Sequence, residues 1–375
     1  MLASYLLDIC SQHGIDFYAG VPDSLLKALC NELFSRYGTD SNTHIVAHNE
    51  GGAVALCAGH YLVTGKPGLC YMQNSGLGNA VNPLASLMDP DVYSIPCLLV
   101  IGWRGENGIP DEPQHKKQGG ITIGQLRLMN IPWVVLSSDM TNESFLTGFQ
   151  RLSEALQEGS PAAIVVRKGA LTSETSPVYG NRNTLTREKA VELILSASGP
   201  EDVFVSTTGK LSRELFELRE SQSSGHQRDF LTVGSMGHAS MIACQIASEK
   251  PDRRVWCLDG DGALLMHLGA LPLIGQRKPR NLIHIVINNG AHETVGGMPV
   301  CSGNLDISAL ASASGYHPVL KADSEGSLSD ALLRASSVSG PVLIEILCSC
   351  SSRKDLGRPT TTPIQNRDAF MSWLK

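Results

Sequence analysis

Short, largely apolar runs recur along this chain at intervals wide enough to hold a helix, and that rhythm restricts the fold more than any other feature. Before residue 172 the runs are Phe17-Tyr18-Ala19, Ile45-Val46, Leu69 to Met72, Cys97 to Ile101, Trp133 to Leu136 and Ala162 to Val166. After residue 184 they are Val203 to Val205, Phe230 to Val233, Val255 to Leu258, Leu282 to Ile287, Pro318 to Leu320 and Val342 to Leu347. A strand that is apolar on both faces must be covered on both faces, which is the condition of a parallel sheet in an α/β layer sandwich, and the helix-length spacers supply the cover. Between the two sets lies Thr172 to Thr184, polar and rich in turn-forming residues. The sequence therefore predicts an α/β protein of two similar six-stranded parallel-sheet sandwiches, residues 1–171 and 186–375, joined by a linker at 172–185.

Composition removes several classes of function. Thirty Lys plus Arg against thirty-six Asp plus Glu leave −6, so net charge attracts neither nucleic acid nor an anionic membrane, and an anionic ligand must be held locally. No apolar stretch approaches the ~20 residues of a membrane helix. The first residues show no signal-like pattern, and residence in the cytoplasm is expected. Ten cysteines are scattered singly, and the gap between Cys348 and Cys350 fits neither a zinc knuckle nor a redox pair, which points to reduced thiols.

In parallel sheets ligands sit at the carboxyl ends of strands, in the loops that open the next helix. In the first half those loops are Gly20-Val-Pro-Asp-Ser24, His48-Asn-Glu50-Gly-Gly52, Gln73-Asn-Ser-Gly-Leu-Gly-Asn79 and Trp103-Arg-Gly105. Gly76-Leu-Gly78 follows a strand as in a dinucleotide fingerprint, but Val81 stands where the third glycine should be and no acidic ribose partner follows at the right distance. In the second half, Leu258-Asp-Gly260-Asp261-Gly262 ends one strand and Asn288-Asn289 ends the next. A carboxylate and an amide oxygen at neighbouring strand ends suit a hard divalent cation such as Mg²⁺, whose remaining ligands would be water and a diphosphate. Gly260 and Gly262 would let the backbone approach phosphate oxygens, with amides of the following helix facing the charge. Read alone, Asp261 and Asn288 could equally cap helices and turns, and Glu50 could be a first-turn carboxylate favoured by the helix dipole.

Gly-Asp-Gly followed after 25 intervening residues by Asn-Asn resembles the cofactor motif of the thiamine-diphosphate-dependent decarboxylases. The resemblance implies a pyrimidine-binding first domain and a diphosphate-binding second one, with thiamine diphosphate and Mg²⁺ as cofactors. It implies that Asp261, Asn289 and the carbonyl of Ala291 hold the metal, with Gly260, Gly262 and Asn288 lining the diphosphate. Gly234-Ser-Met236-Gly237 stands where the family carries a bulky apolar residue beneath the cofactor's thiazolium ring, which gives that part to Met236. Glu50, in Asn-Glu-Gly-Gly-Ala-Val-Ala, matches the family glutamate that bonds the pyrimidine and starts catalysis. Glu50 and Asp261 belong to different halves, and the family joins these domains from different subunits. A homodimer or homotetramer with sites between chains is thus implied.

Full-length members of the family carry a third domain for which 375 residues leave no room, so a short form is expected. Tyr18 to Ser24, Met72 to Asn82, Trp103 to His115, Thr208 to Glu214 and Asn288 to Glu293 resemble the phosphonopyruvate-decarboxylating branch of the family. The sulfopyruvate-decarboxylating branch shares much of this layout, and a thiamine-diphosphate binder without catalysis is a third reading, against which Glu50 argues. A 2-oxo acid with a second oxyanion needs several donors, for which Ser24, Asn74, Ser75, Arg104 and His115 are the candidates, Lys116 and Lys117 being neighbours. Arg104 could instead form a surface ion pair. His115 could donate a proton or only a structural hydrogen bond, and His292 and Glu293 are further proton-transfer candidates.

Overall fold

The computed structural model describes residues 1–293 and 297–375, which divide into two compact units, Met1–Val178 and Tyr179–Lys375. In the first unit, strands β1 (Tyr18–Gly20), β2 (His44–Val46), β3 (Gly68–Gln73), β4 (Cys97–Gly102), β5 (Trp133–Leu136) and β6 (Ala162–Val166) form one parallel sheet in the order β2-β1-β3-β4-β6-β5. In the second, β7 (Val203–Ser206), β8 (Asp229–Leu231), β9 (Val255–Gly260) and β10 (Leu282–Asn288) are followed by a two-residue ribbon, β11 (Ala291–His292) with β12 (Met298–Pro299), and then by β13 (Val319–Ala322) and β14 (Val342–Leu347). Read from its other edge, the second sheet runs β8-β7-β9-β10-β14-β13. Counting the six main strands of each unit from its start, both sheets have the order 2-1-3-4-6-5. The expected strands are all present, and the two units are topological twins.

The continuous apolar strands are buried as their composition demands: every residue of β4 and of β10 is buried. The covering helices show the complementary pattern. In Asn142–Gln157, Phe145, Phe149, Leu152 and Leu156 recur at helical spacing and are buried, while Glu143, Thr147 and Glu154 face outward. Each such apolar side chain removed from water contributes about 1.5–3 kcal/mol before entropy is subtracted. The edge strand β8 is protected by the helix Pro363–Leu374, whose Asn366 accepts from Leu231 N at 3.0 Å and donates to Asp229 O at 2.7 Å. Among the described residues no helix is long and apolar enough to cross a membrane.

This order puts a topological switch point in each sheet. The chain leaves β1 toward β2 on one side and β3 toward β4 on the other, and it does the same at β7 and β9. Loops at such a point splay apart at the carboxyl end and leave a crevice. The polar segments after β1 and β3, and after β7 and β9, open onto those crevices.

Candidate functional site

In the first unit Glu50 opens the helix Glu50–Thr64. Asn49 caps that helix, its Oδ1 accepting from Gly51 N at 2.8 Å and Gly52 N at 3.3 Å, worth about 1 kcal/mol. The Glu50 carboxyl is buried, and Asn79 Nδ2 donates to its Oε2 at 2.8 Å. A Cβ on Gly76 would lie 2.6 Å from Glu50 Oε1, so the third loop yields exactly the room this carboxyl occupies.

The anion-binding candidates gather around Arg104. Its Nε donates to Asp111 Oδ2 at 2.8 Å, its Nη2 to Asp111 Oδ1 at 2.6 Å and its Nη1 to Ser24 Oγ at 2.9 Å. Asp111 also receives Gly105 N and Glu112 N, and the guanidinium holds its carboxyl well below the usual carboxylate range. Arg104 is therefore one partner of a half-buried, two-point ion pair whose third edge faces Ser24. Ser75 donates to Gln73 Oε1 at 2.8 Å, and Gln73 Nε2 donates to the fully buried Asp23 at 2.7 Å. Burial raises the Asp23 carboxyl, with Gln73 and Arg104 opposing the shift.

Two expectations for this rim change. Asn74 is fully buried, and its amide gives one N–H to Arg104 O at 2.8 Å and the other to Thr122 Oγ1 at 2.9 Å, while its oxygen accepts from Arg104 N at 3.2 Å. Its hydrogen-bonding capacity goes into the Arg104 backbone, which makes Asn74 a support for Arg104 and not a donor to substrate. His115 lies buried in the first turn of the helix Pro113–Leu128, and burial together with Arg104 lowers its imidazole to about 4. A neutral ring is a weak proton donor, and His115 Nδ1 has no hydrogen-bond partner here. Gly105, at φ +69°, permits the close approach of this helix, because a Cβ there would sit 1.9 Å from His115 O. Lys116 and Lys117 are exposed on the same helix.

In the second unit Asp261 directly follows β9, and Asn288 ends β10, the adjacent strand. Asp261 is buried, and its Oδ2 accepts from Gly290 N at 2.9 Å and Ser302 Oγ at 2.6 Å. Burial raises this carboxyl to about 6 despite those bonds. Both donors are neutral, and a desolvated carboxylate of this kind calls for a cation. Asn289 Oδ1 accepts from Ala291 N at 3.1 Å, which uses one of its two lone pairs. No atom lies within 4 Å of a Cβ placed on Gly260, so the backbone there borders open space that a side chain would fill. The Asp261 carboxylate bonded to the turn that carries the Asn289 amide and the Ala291 carbonyl is oxygen-donor chemistry of the kind a hard divalent cation with a diphosphate would take.

The helix begins at Asp261 itself, one residue before Gly262, and spans Asp261–Met266. Asn288 Nδ2 donates to the buried Glu345 at 2.8 Å and its side-chain oxygen accepts from Gly290 N at 3.1 Å, so this side chain fastens the turn and keeps one N–H and one lone pair beyond those bonds. Met236 does reach the motif: a Cβ on Gly262 would lie 3.5 Å from its Cε and 3.1 Å from the His292 ring.

Several residues with a part in these sites were given no role by the sequence. Asp111 and Asn79 are ordinary loop and helix residues whose roles appear only in contact. Behind the Asp261 turn, Asp259 Oδ1 accepts from Gly260 N at 2.9 Å, and His284 lies 3.4 Å from Asp259 Oδ2. Ligand atoms of Cys257, Asp259 and His284 fall within 4.8 Å of one another, but these residues are fully buried and mix sulfur and nitrogen with oxygen. The oxygen set at Asp261 suits Mg²⁺ and this one does not. Glu293 receives Arg187 Nη1 at 2.5 Å and Lys210 Nζ at 2.9 Å. Burial would raise its carboxyl, yet Arg187 and Lys210 together hold it below the ordinary range.

Comparisons with known proteins agree with this division. Residues 1–126 match the family model for the thiamine pyrophosphate enzyme N-terminal TPP binding domain, and residues 207–346 match that for the C-terminal TPP binding domain. The chain is 35% identical to a phosphonopyruvate decarboxylase of Streptomyces viridochromogenes over 96% of its own length and 92% of the relative's. It is 34% identical to a phosphonopyruvate decarboxylase of Streptomyces hygroscopicus, covering 93% and 88% of the two chains. A sulfopyruvate decarboxylase of Methanosarcina acetivorans is 28% identical, with 85% and 84% covered.

Proposed function

The chain belongs to the thiamine pyrophosphate enzymes, and from that premise we propose that it decarboxylates 3-phosphonopyruvate to phosphonoacetaldehyde and CO₂, taking up one proton, in the biosynthesis of compounds with a carbon–phosphorus bond. The similarity to two phosphonopyruvate decarboxylases over nearly the whole chain carries this reading. Loss of CO₂ from a 2-oxo acid leaves an electron pair that must be delocalised, and thiamine diphosphate, when bound, supplies the electron sink.

This chain's own residues bind, orient and move protons around that chemistry. Asp261, Asn289 and the Ala291 carbonyl hold Mg²⁺, and the backbone at Gly260 and Gly262 lines the diphosphate. Met236 supplies apolar surface beside them. Glu50 is the proton-handling carboxyl for the pyrimidine, kept in one orientation by Asn79 and by the missing side chain of Gly76. Arg104, with Ser24 and Ser75, receives the phosphonate. Its guanidinium is already oriented by Asp111, so little rotamer freedom remains to be lost on binding. His115 lines this pocket as a neutral ring.

The active form is a homodimer or homotetramer in which Glu50 of one copy and Asp261 of another serve the same cofactor. Apolar side chains exposed on the helix that begins at Glu50, Leu62 at 73% and Val63 at 87%, support such an assembly. The protein works in the cytoplasm, where its thiols stay reduced.

The test is turnover of phosphonopyruvate, sulfopyruvate and pyruvate by the purified protein with thiamine diphosphate and Mg²⁺. Release of phosphonoacetaldehyde with clear preference for the phosphonate is expected, since a phosphonate carries nearly two negative charges near neutral pH and a sulfonate one. Preference for sulfopyruvate would move the chain to the activity named for its Methanosarcina relative. No aldehyde from any of the three acids would remove the decarboxylase reading.

A further inference from the structure

Asn289 is held at both of its ends. Its main-chain oxygen accepts from Asn181 Nδ2 at 2.8 Å and from the Cys350 thiol at 2.9 Å. Its side-chain oxygen accepts from Ala291 N at 3.1 Å, and its Nδ2 donates to Glu293 Oε2 at 3.1 Å. These two side-chain contacts together decide which way the amide points. The oxygen and nitrogen of a carboxamide are nearly equal in size, so shape alone does not select between the two orientations, yet only the oxygen has lone pairs for a cation. Glu293, as a carboxylate, can only accept, and so it requires the nitrogen to face it.

Glu293 is itself fixed. Oε2 also receives Arg187 Nη1 at 2.5 Å, and Oε1 receives Lys210 Nζ at 2.9 Å. Arg187 is locked in turn by two 2.6 Å bonds to Glu214, and Lys210 by a 2.7 Å bond to Ser352. A carboxylate that served only to neutralise Arg187 and Lys210 would have no need of the Asn289 amide.

Building on the reading of Asn289 as a cation ligand, we propose that Glu293 is a positioning residue for the metal: it fixes the Asn289 amide with its oxygen toward the cation. Arg187 and Lys210 are the supports that keep Glu293 in place. Removing the carboxylate leaves the amide held by the Ala291 N bond alone, which loosens its orientation and lowers the affinity for Mg²⁺ before it affects anything the substrate touches.

The experiment is an Mg²⁺ titration of the full-length protein at saturating thiamine diphosphate, followed by tryptophan fluorescence and by calorimetry, with no substrate present. Glu293→Gln should raise the half-saturating Mg²⁺ concentration roughly ten- to a hundred-fold. Asn289→Asp should weaken binding as well, because it sets two carboxylates face to face. Combining the two restores a donor–acceptor pair in reverse, and the double variant should bind Mg²⁺ more tightly than either single one. An unchanged half-saturation in Glu293→Gln with native circular dichroism overturns the proposal. Should Glu293→Gln not fold, Asn289→Asp alone against the double variant decides, and a double no better than that single overturns it. Asn289→Ala separates the two levels: if it leaves Mg²⁺ binding unchanged, the cation site itself is wrong and this inference falls with it, whereas weakened binding in Asn289→Ala beside unchanged binding in Glu293→Gln removes Glu293 alone.

Discussion

Arg104 and Asp111 meet through two nearly parallel hydrogen bonds, Nε to Oδ2 at 2.8 Å and Nη2 to Oδ1 at 2.6 Å, with side chains only 21% and 14% exposed. The pair leaves the Nη1 edge of the guanidinium toward Ser24, and on the proposed function this is the edge an anionic substrate would take. Asp111→Asn keeps the shape but replaces one acceptor oxygen by a donor that faces the guanidinium. The freed arginine then has to be ordered by the substrate. KM for phosphonopyruvate should rise about tenfold or more, with kcat changed much less. Steady-state kinetics checks this, and an equal fall in kcat with KM constant would assign the pair to a later step.

Gly76 can be tested without straining the backbone, since its φ is −70° and ψ −17°, values any residue adopts. The effect of Gly76→Ala is therefore confined to what the new methyl meets, which is Glu50: 2.5 Å to Cγ and 2.6 Å to Oε1. Displacing a catalytic carboxyl by about 1 Å can cost on the order of a hundredfold in rate. Gly76→Ala should lose activity on that scale while melting within a few degrees of the parent, and Glu50→Gln should lose at least as much. Full activity in Gly76→Ala would show that the carboxyl is not needed where it lies.

Acid should destabilise the protein through buried imidazoles. The His115 ring titrates at about 4 in the folded chain, below the ordinary value near 6.5, because burial and Arg104 both disfavour its charged form. Between those pH values the unfolded chain binds the proton and the folded one does not, so stability is complete above about 6.5 and falls as pH drops toward 4. His44 and His48 are lowered by burial in the same sense. The melting temperature should fall across that window, and His115→Gln should make the fall shallower without abolishing it. An identical slope in His115→Gln would mean that His115 is protonated in the fold.

The strands were legible because a strand buried on both faces leaves a continuous apolar signature, and the candidate cation site could be proposed because its oxygen-bearing residues stand beside glycines at strand ends. Loop side chains are different. Asn74 and Ser75 are neighbours of similar polarity, yet one spends its amide on Arg104 and Thr122 inside the protein while the other stays half-buried at the rim. Which of the two turns inward depends on the path of a loop 30 residues away, and no local pattern carries that information. Asp111 was given no role for the same reason: six residues lie between it and Arg104, and turns with positive φ at Gly105 and Gly108 lie on the path between them. In Asn288-Asn289, the first amide belongs to Glu345 on a neighbouring strand, which a motif alone does not reveal.

If each site draws on two chains, two inactive variants must repair one another. Glu50→Gln abolishes the pyrimidine carboxyl and Asp261→Ala the metal carboxylate, so each homodimer has both of its sites damaged. In a mixed dimer one site collects both substitutions, and the other collects neither. Random reassortment makes half of the dimers mixed, and about a quarter of all sites are then intact. Mixing the two variants under conditions that exchange subunits should therefore raise activity from near zero to about a quarter of the parent's. A site built within one chain predicts no recovery, because every site would still carry one substitution. Exchange itself is monitored with a tag on one variant, so that a silent mixture of proven mixed dimers refutes the shared site.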